Sequence, residues 1–298
     1  MPELPEVETM RRGVSPIVGQ QIQSAQVPPC ERKPILLEPS IESFDARVRG
    51  RRITAVDRLG KRVLIVLGDD QTIVIEPRMT GLVLLSDPPG PEHLRLRLNL
   101  TAGPCGQLLF WDRRGLGTVR LLSADQLQAT VRDRLGPDAM RITTDQLRTG
   151  FGSSRRQIKP ALLDQTVVAG IGNLYAAEIL FLAGVDPRTR CDRLSKPQWS
   201  RIHAAITAVL GEAIEHEGST LSDGTYRNAL NHQGSYQNYH RVYDRADSNC
   251  RRCRSGLIRR IVQNQRSTFF CPQCQRKSGL HAQVARIEVS PPVTSTVQ

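Results

Sequence analysis

From Gln21 to about Ser123 the chain alternates apolar and polar residues at the period of strands. Leu94, Leu96, Leu98 and Leu100 interleave with Arg95, Arg97 and Asn99, the pattern of a half-buried strand. Val63–Leu67 and Thr72–Ile75 flank Gly68-Asp69-Asp70, which predicts a hairpin turn. Several short strands punctuated by turns indicate a β-sandwich or barrel. Residues 1–20 read as a short helix, and SDPPGPE at 86–92 as a surface loop. From about Ala124 the period becomes helical. Ser195 and Gln198 form a capping box, and Trp199, Ile202, Ile206, Val209, Ala213 and Ile214 then share one face. Gly218 is placed to end that helix. The stripe reads as core packing. Residues 219–246 read as loop, the final SPPVTSTVQ as a disordered tail, and no internal repeat is visible.

Charge narrows the class of partner. Lys and Arg total 41 against 29 acidic residues, a formal net charge of +12 over 298 residues. Such a balance favours a polyanion, since bound Lys and Arg release counterions from nucleic acid. Its distribution says more: between Cys250 and Lys277 stand seven arginines, Arg251, Arg252, Arg254, Arg259, Arg260, Arg266 and Arg276, and no Asp or Glu. No apolar run is long enough to span a bilayer, and MPELPEVETMRRG lacks the apolar core of a signal peptide, so a cytosolic or nucleoid-associated protein without membrane contact is expected. A monomer is the default. Seven cysteines without a secretion signal argue for reduced thiols, with Cys30, Cys105 and Cys191 lacking obvious partners.

The other four cysteines carry a metal signature. Cys250-x2-Cys253 and Cys271-x2-Cys274 are separated by 17 residues. Each pair puts two thiolates on one tight turn, and the spacer allows a β-hairpin that joins the turns. Four thiolates suit tetrahedral zinc in a closed, structural site. The alternative is two redox pairs or free thiols. Arg266 to Phe269 fall on the second arm of that hairpin. By itself the motif states only a zinc ribbon, and many such ribbons bind DNA, RNA or protein and catalyse nothing.

The N-terminus adds chemistry. Pro2 follows Met1, and removal of Met1 would expose a secondary amine able to attack an electrophilic carbon and form an iminium ion, an electron sink for elimination. Chain-terminal amines titrate at about 7.7–8.0, so part of the population is neutral at pH 7. A helix beginning near Pro5 would increase that fraction. Glu3 and Glu6, three residues apart, could serve as general acid and supporting carboxylate. Each feature alone also fits an ordinary helix start.

Taken together, PELPEVET at 2–9 with Arg11-Arg12-Gly13, IKPALLDQTVVAGIGNLYAAEIL at 158–180 and QRSTFFCPQCQ at 265–275 resemble the formamidopyrimidine-DNA glycosylase family over nearly the whole chain. The resemblance implies an N-terminal β-sandwich catalytic domain (1–123), a helix–two-turns–helix domain (124–223), a lesion-recognition loop and linker (224–246, with the loop reaching back to 218), a zinc finger (247–277) and a tail (278–298). It implies excision of oxidised purines from damaged double-stranded DNA followed by β,δ-elimination, with one structural Zn2+ and no dissociable cofactor.

The resemblance also implies roles. Pro2 would attack C1′ and Glu3 would act as general acid. Lys61 would hold a flanking phosphate, Lys159 would take part in lesion processing, and Asn173, Arg266 and Tyr236 would contact phosphates. Met79 would fill the gap left by a flipped base, and Arg114 would pair with the orphaned cytosine. Gly170, Gly172 and Asn173, before an apolar helix at 174–182, would aim backbone N–H groups at phosphate. Two positions depart from the family pattern. Glu76 stands where the family usually has His, and would repel phosphate unless it turns away or pairs with Arg78. Leu116 replaces a Phe that wedges between base pairs, and Leu cannot stack. Two rivals remain: the sister branch that excises oxidised pyrimidines, and a non-catalytic DNA-binding module on the same scaffold.

Overall fold

The computed structural model describes residues 2–101, 103, 105–220, 224 and 226–276. The predicted tail therefore lies outside the described residues, as does part of the predicted lesion-recognition loop.

The chain opens with α1 (Leu4–Val14), capped by Glu3 and Glu6 and followed by a single 3-10 turn. It continues through β1 (Ile22–Gln26), β2 (Leu36–Glu38), α2 (Ile41–Val48), β3 (Ile53–Leu59), β4 (Arg62–Leu67), β5 (Gln71–Glu76), β6 (Gly81–Leu84), β7 (Leu94–Leu100), β8 (Gln107–Asp112) and β9 (Thr118–Ser123). These strands make two sheets, β1-β7-β8-β6 and β2-β9-β5-β4-β3. Both sheets contribute to one apolar core, with Ile22, Leu98 and Leu108 from the first and Ile53, Val63 and Ile73 from the second. This is the predicted sandwich. The predicted hairpin turn is present between β4 and β5, with left-handed backbone at Asp69 and Asp70 (φ 67° and 58°).

One position in the β7 alternation departs from expectation. The period puts Arg95 on the polar face, yet only 3% of it is exposed.

The helical part comprises α3 (Ala124–Thr130), α4 (Thr144–Phe151), α5 (Ile158–Leu162), α6 (Asn173–Ala183) and α7 (Lys196–Glu215). The Ser195/Gln198 capping box is formed, the predicted stripe on α7 is buried, and Gly218 N–H closes the helix end on the Ala213 carbonyl at 2.7 Å. Helix α6 is apolar on nearly every face, which demands burial all round. It packs against α7 on one side and the C-terminal hairpin on the other. That hairpin is β10 (Arg259–Gln263) and β11 (Arg266–Phe270), joined by Asn264-Gln265, both left-handed as a two-residue turn requires.

Helix α1 belongs to both halves. Val7, Met10 and Val14 enter the sandwich core, whereas Leu4 enters the helical core. Leu4 N–H donates to the Gly170 carbonyl at 3.1 Å. A Cβ at Gly170 would come 2.4 Å from the Leu4 side chain, and its φ of +111° is itself a glycine conformation. Arg58 on β3 adds a second tie, donating to Asp138 at 2.6 and 3.1 Å and to Glu8 at 3.2 Å. The first residues of the chain are thereby fixed at the seam between the halves. Among the described residues, no helix is long and apolar enough to cross a membrane.

Candidate active site

A cavity of about 420 Å³ opens at that seam. Pro2, Glu3 and Glu6 line it from the N-terminus and the first turn of α1, Met79 and Thr80 from the loop between β5 and β6, Asn173 from the start of α6, and Tyr243 and Arg266 from the linker and hairpin. Five stretches of sequence thus meet at one point.

Glu3 sits at the N-terminus of α6. Its carboxyl group accepts from Leu174 N–H at 3.0 Å and Tyr175 N–H at 3.4 Å. Glu3 thus occupies two backbone donors just past the Gly170-to-Asn173 segment, because α1 enters the seam directly over them. Gly172 permits the approach, since a Cβ there would lie 2.2 Å from the Glu3 carboxyl carbon. Glu6 accepts from Glu3 N–H at 2.8 Å, the Tyr175 hydroxyl at 2.5 Å and Ser219 N–H at 2.9 Å. Burial, reinforced by the neighbouring Glu3 carboxylate, pushes Glu6 above the usual carboxylate range. Glu6 is therefore more readily protonated than a carboxyl group in water.

Lys159 is fully buried on α5. Its ammonium bonds the Asn173 side-chain oxygen and donates to the Ser267 carbonyl at 3.0 Å, while Asn173 Nδ2 donates to the same carbonyl at 3.1 Å. These bonds lock the hairpin, and with it Arg266, onto the start of α6. Burial, opposed by Glu3 and aided by Arg266, lowers Lys159 from its ordinary 10.5 to about 8. Between about pH 8 and 10.5 the unfolded chain therefore binds the extra proton, so this group adds stability as pH rises through that window. Thermal unfolding of wild type and Lys159→Met across pH 7.5–10 should show the wild type gaining on the variant. A constant difference in Tm would contradict this placement. Lys61, half-buried beside the Gly60 turn, is also lowered by burial and feels Glu3, Arg266, Glu6 and Glu76, which puts it within electrostatic reach of the cavity.

Met79 is 38% exposed and Leu116 36%, large apolar side chains held out into solvent on two adjacent loops, and Arg114 is exposed beside Leu116. Asp112 and Thr80, which sequence reasoning missed, join those loops. Buried Asp112 accepts from Thr80 Oγ1 at 2.5 Å, Arg114 N–H at 3.2 Å and Gly117 N–H at 2.7 Å. Arg114 N–H also donates to Thr80 at 3.0 Å. The available signal was a carboxylate followed by two glycines, the shape of a loop organised by one acceptor. Glu76 pairs with Arg62 at 3.0 Å and Arg78 at 3.2 Å, so its charge is compensated on both sides.

Tyr236 requires a correction. It is fully buried in the helical core, tilted against Tyr175 and stacked with Tyr239, with its hydroxyl accepting from Arg241 at 3.1 Å. It presents nothing to a phosphate. Tyr243, by contrast, lines the cavity together with Asn173. It is positioned by Glu178, a buried carboxylate on α6 that accepts from the backbone N–H groups of Arg241, Val242 and Tyr243 at 2.8–2.9 Å. Loop spacing alone could not separate these two tyrosines.

The four cysteine sulfurs lie within 4.8 Å of one another, with Cys250–Cys274 at 3.8 Å and Cys253–Cys271 at 3.7 Å. A tetrahedron with Zn–S bonds of about 2.3 Å has edges of about 3.8 Å, so the donor set fits zinc. Gly256 N–H donates to Cys253 Sγ at 3.3 Å, and a Cβ at Gly256 would crowd the Cys271 sulfur at 2.9 Å. Two redox pairs, the alternative reading, would need no such four-sulfur convergence.

Comparison with known proteins follows the same plan. Residues 1–119 match the formamidopyrimidine-DNA glycosylase N-terminal domain, 135–225 the formamidopyrimidine-DNA glycosylase H2TH domain, and 248–276 a zinc finger found in FPG and IleRS. A formamidopyrimidine-DNA glycosylase of Chloroflexus aurantiacus is 41% identical over 281 residues, covering 92% of this chain and 98% of that one. A Lactococcus lactis FPG mutant solved with DNA containing Fapy-dG is 34% identical with a TM-score of 0.82, over 93% of this chain and 100% of that one. The FPG protein of Thermus thermophilus is 35% identical with a TM-score of 0.80, over 92% and 98%. With its sandwich, helical unit and four-cysteine finger in the same order, the chain belongs to the formamidopyrimidine-DNA glycosylase family.

Proposed function

We propose that this protein is a base-excision repair glycosylase for oxidised purines in duplex DNA, and that it also cleaves the strand as an AP lyase. The observation that carries the reading is the meeting of Pro2 and Glu3 in one cavity with Met79 on one side and Asn173, Tyr243 and Arg266 on the other. A base inside a duplex is out of reach, so it must be flipped and its place filled. Met79 and Leu116 are the apolar side chains exposed for filling, and Arg114 is the donor for the orphaned cytosine.

Once Met1 is removed, the Pro2 nitrogen attacks C1′ and the base leaves. Glu3 protonates the sugar oxygen as the ring opens, and Glu6 holds the Glu3 backbone in place. Loss of the C2′ proton, its electrons drawn toward the iminium, expels the 3′ phosphate, and loss of the C4′ proton from the resulting conjugated iminium then expels the 5′ phosphate. Lys61, Asn173, Arg266 and Tyr243 hold phosphates around the extruded nucleotide, and Lys159 fixes Asn173 and the hairpin. Arg78, released to solvent on one side of its Glu76 pair, takes the phosphate contact that a His at position 76 would make. Zinc, when bound by Cys250, Cys253, Cys271 and Cys274, supplies the cross-link that keeps the hairpin folded.

Single-turnover excision from duplexes carrying 8-oxoguanine opposite cytosine or thymine glycol opposite adenine tests the reading. At least tenfold faster release of the purine is expected. Equal or reversed rates would assign the chain to the pyrimidine branch, and tight binding without excision by protein with a free Pro2 would make it a binding module. Leu116→Phe should tighten binding of lesion duplex about fivefold, the effect of ~1 kcal/mol of added stacking. Unchanged affinity, measured by anisotropy, would show that residue 116 does not enter the duplex.

A further inference from the structure

Arg95 and Cys30 take no part in the site described above. A buried guanidinium needs acceptors for its donors. Arg95 Nε donates to the Asp112 carbonyl at 2.8 Å and Nη1 to Cys30 Sγ at 2.8 Å, but its buried Nη2 has no acceptor among the described residues. The Asp112 carboxylate is already committed to Thr80, Arg114 and Gly117. The guanidinium therefore faces a half-buried thiol with one donor to spare. The same segment supports the probe loop: a Cβ at Gly115 would lie 2.3 Å from the Lys33 carbonyl and 3.6 Å from Arg95 Nη2.

We propose that Cys30 is a modification site for small oxidants of the peroxide class, with Arg95 as the preformed receptor for the added oxygen. Cys30 sulfur attacks one peroxide oxygen. The S–O bond forms as the O–O bond breaks, sulfur gives up two electrons, and the departing hydroxide takes the thiol proton and leaves as water. The sulfenic oxygen is an acceptor placed beside the donor that lacks one. Because Arg95 also holds the Asp112 carbonyl, at the root of the loop bearing Arg114 and Leu116, a guanidinium drawn toward the sulfenic oxygen shifts that loop. This last consequence rests on the role given to Arg114 under the proposed function; the modification itself does not.

Full-length, zinc-loaded protein is treated with equimolar hydrogen peroxide and trapped with dimedone, adducts are mapped by mass spectrometry, and zinc content is followed in parallel. Cys105, also half-buried but with its thiol pushed up by burial, is the internal comparison. Cys30 should label at least tenfold faster than Cys105, and the two rates should converge when the chain is unfolded in guanidinium. Arg95→Lys, if folded, should slow Cys30 at least fivefold. Equal labelling of the two cysteines in the native chain, a preference that survives unfolding, or an unchanged rate in folded Arg95→Lys overturns the site. Peroxide should also weaken opposite-base discrimination of wild type, reversibly with dithiothreitol, and leave Cys30→Ala unaffected. Labelled Cys30 with unchanged discrimination overturns the coupling alone, and absence of excision before treatment overturns the proposed function, not the site.

Discussion

A chain that keeps one residue ahead of Pro2 should lose at least ~10³-fold in base excision, because its nucleophile becomes an amide nitrogen with no lone pair to give. Affinity for lesion duplex should fall much less, within about tenfold, since the phosphate-holding side chains lie on other elements. Pro2 is buried at the seam, so an extension can also disturb packing there. Pro2→Gly with Met1 removed separates the two effects. It leaves a primary amine without bulk, and should retain some trapping and excision at a reduced rate. Equal activity in all three chains, measured at single turnover, would remove Pro2 from the reaction.

The second large effect is loss of zinc. Apparent binding of about 10–16 kcal/mol is common for structural zinc in small fingers at pH 7, which is folding free energy for a hairpin of this size. The finger's own apolar contacts are few: Ile258 and Phe269 packed on Ala177 and Phe181 of α6, with Val242. Without the metal, β10 and β11 should melt, and Ser267 would no longer hold Lys159 and Asn173. Chelation or Cys271→Ser should cut DNA affinity at least ~100-fold while the sandwich and helical cores stay folded, since neither includes a finger residue. Hydrogen exchange confined to residues 248–276, alongside a lowered affinity, is the expected result. Unchanged protection there would mean that the finger folds without metal.

The parts of the fold readable in the sequence are those whose signal is local. The alternation of β7, the turn at Asp69-Asp70, the capping box at Ser195 and the paired C-x2-C motifs each state their own structure within a few residues. The site residues Pro2, Glu3, Lys159, Asn173 and Arg266 were legible through motifs, and the fold brings them together. What was not legible depends on tertiary neighbours. Arg95 obeys the strand period and is buried all the same, because Cys30 and the Asp112 carbonyl come from elsewhere in the chain. That Glu3 would take the N–H groups of Leu174 and Tyr175 at the start of α6 was likewise not legible, because it depends on α1 docking there. Tyr236 and Tyr243 lie in the same polar loop, and only the carboxylate of Glu178, 65 residues before Tyr243, decides which of them reaches the cavity.

The most direct test of the central claim is borohydride trapping. Mature full-length protein is incubated with duplex DNA carrying 8-oxoguanine opposite cytosine, sodium borohydride is added, and the adduct is mapped by mass spectrometry. The account predicts a covalent protein–DNA band attached at Pro2. Absence of an adduct on this duplex and on an abasic-site duplex, with a free Pro2 amine and bound zinc verified, would contradict it.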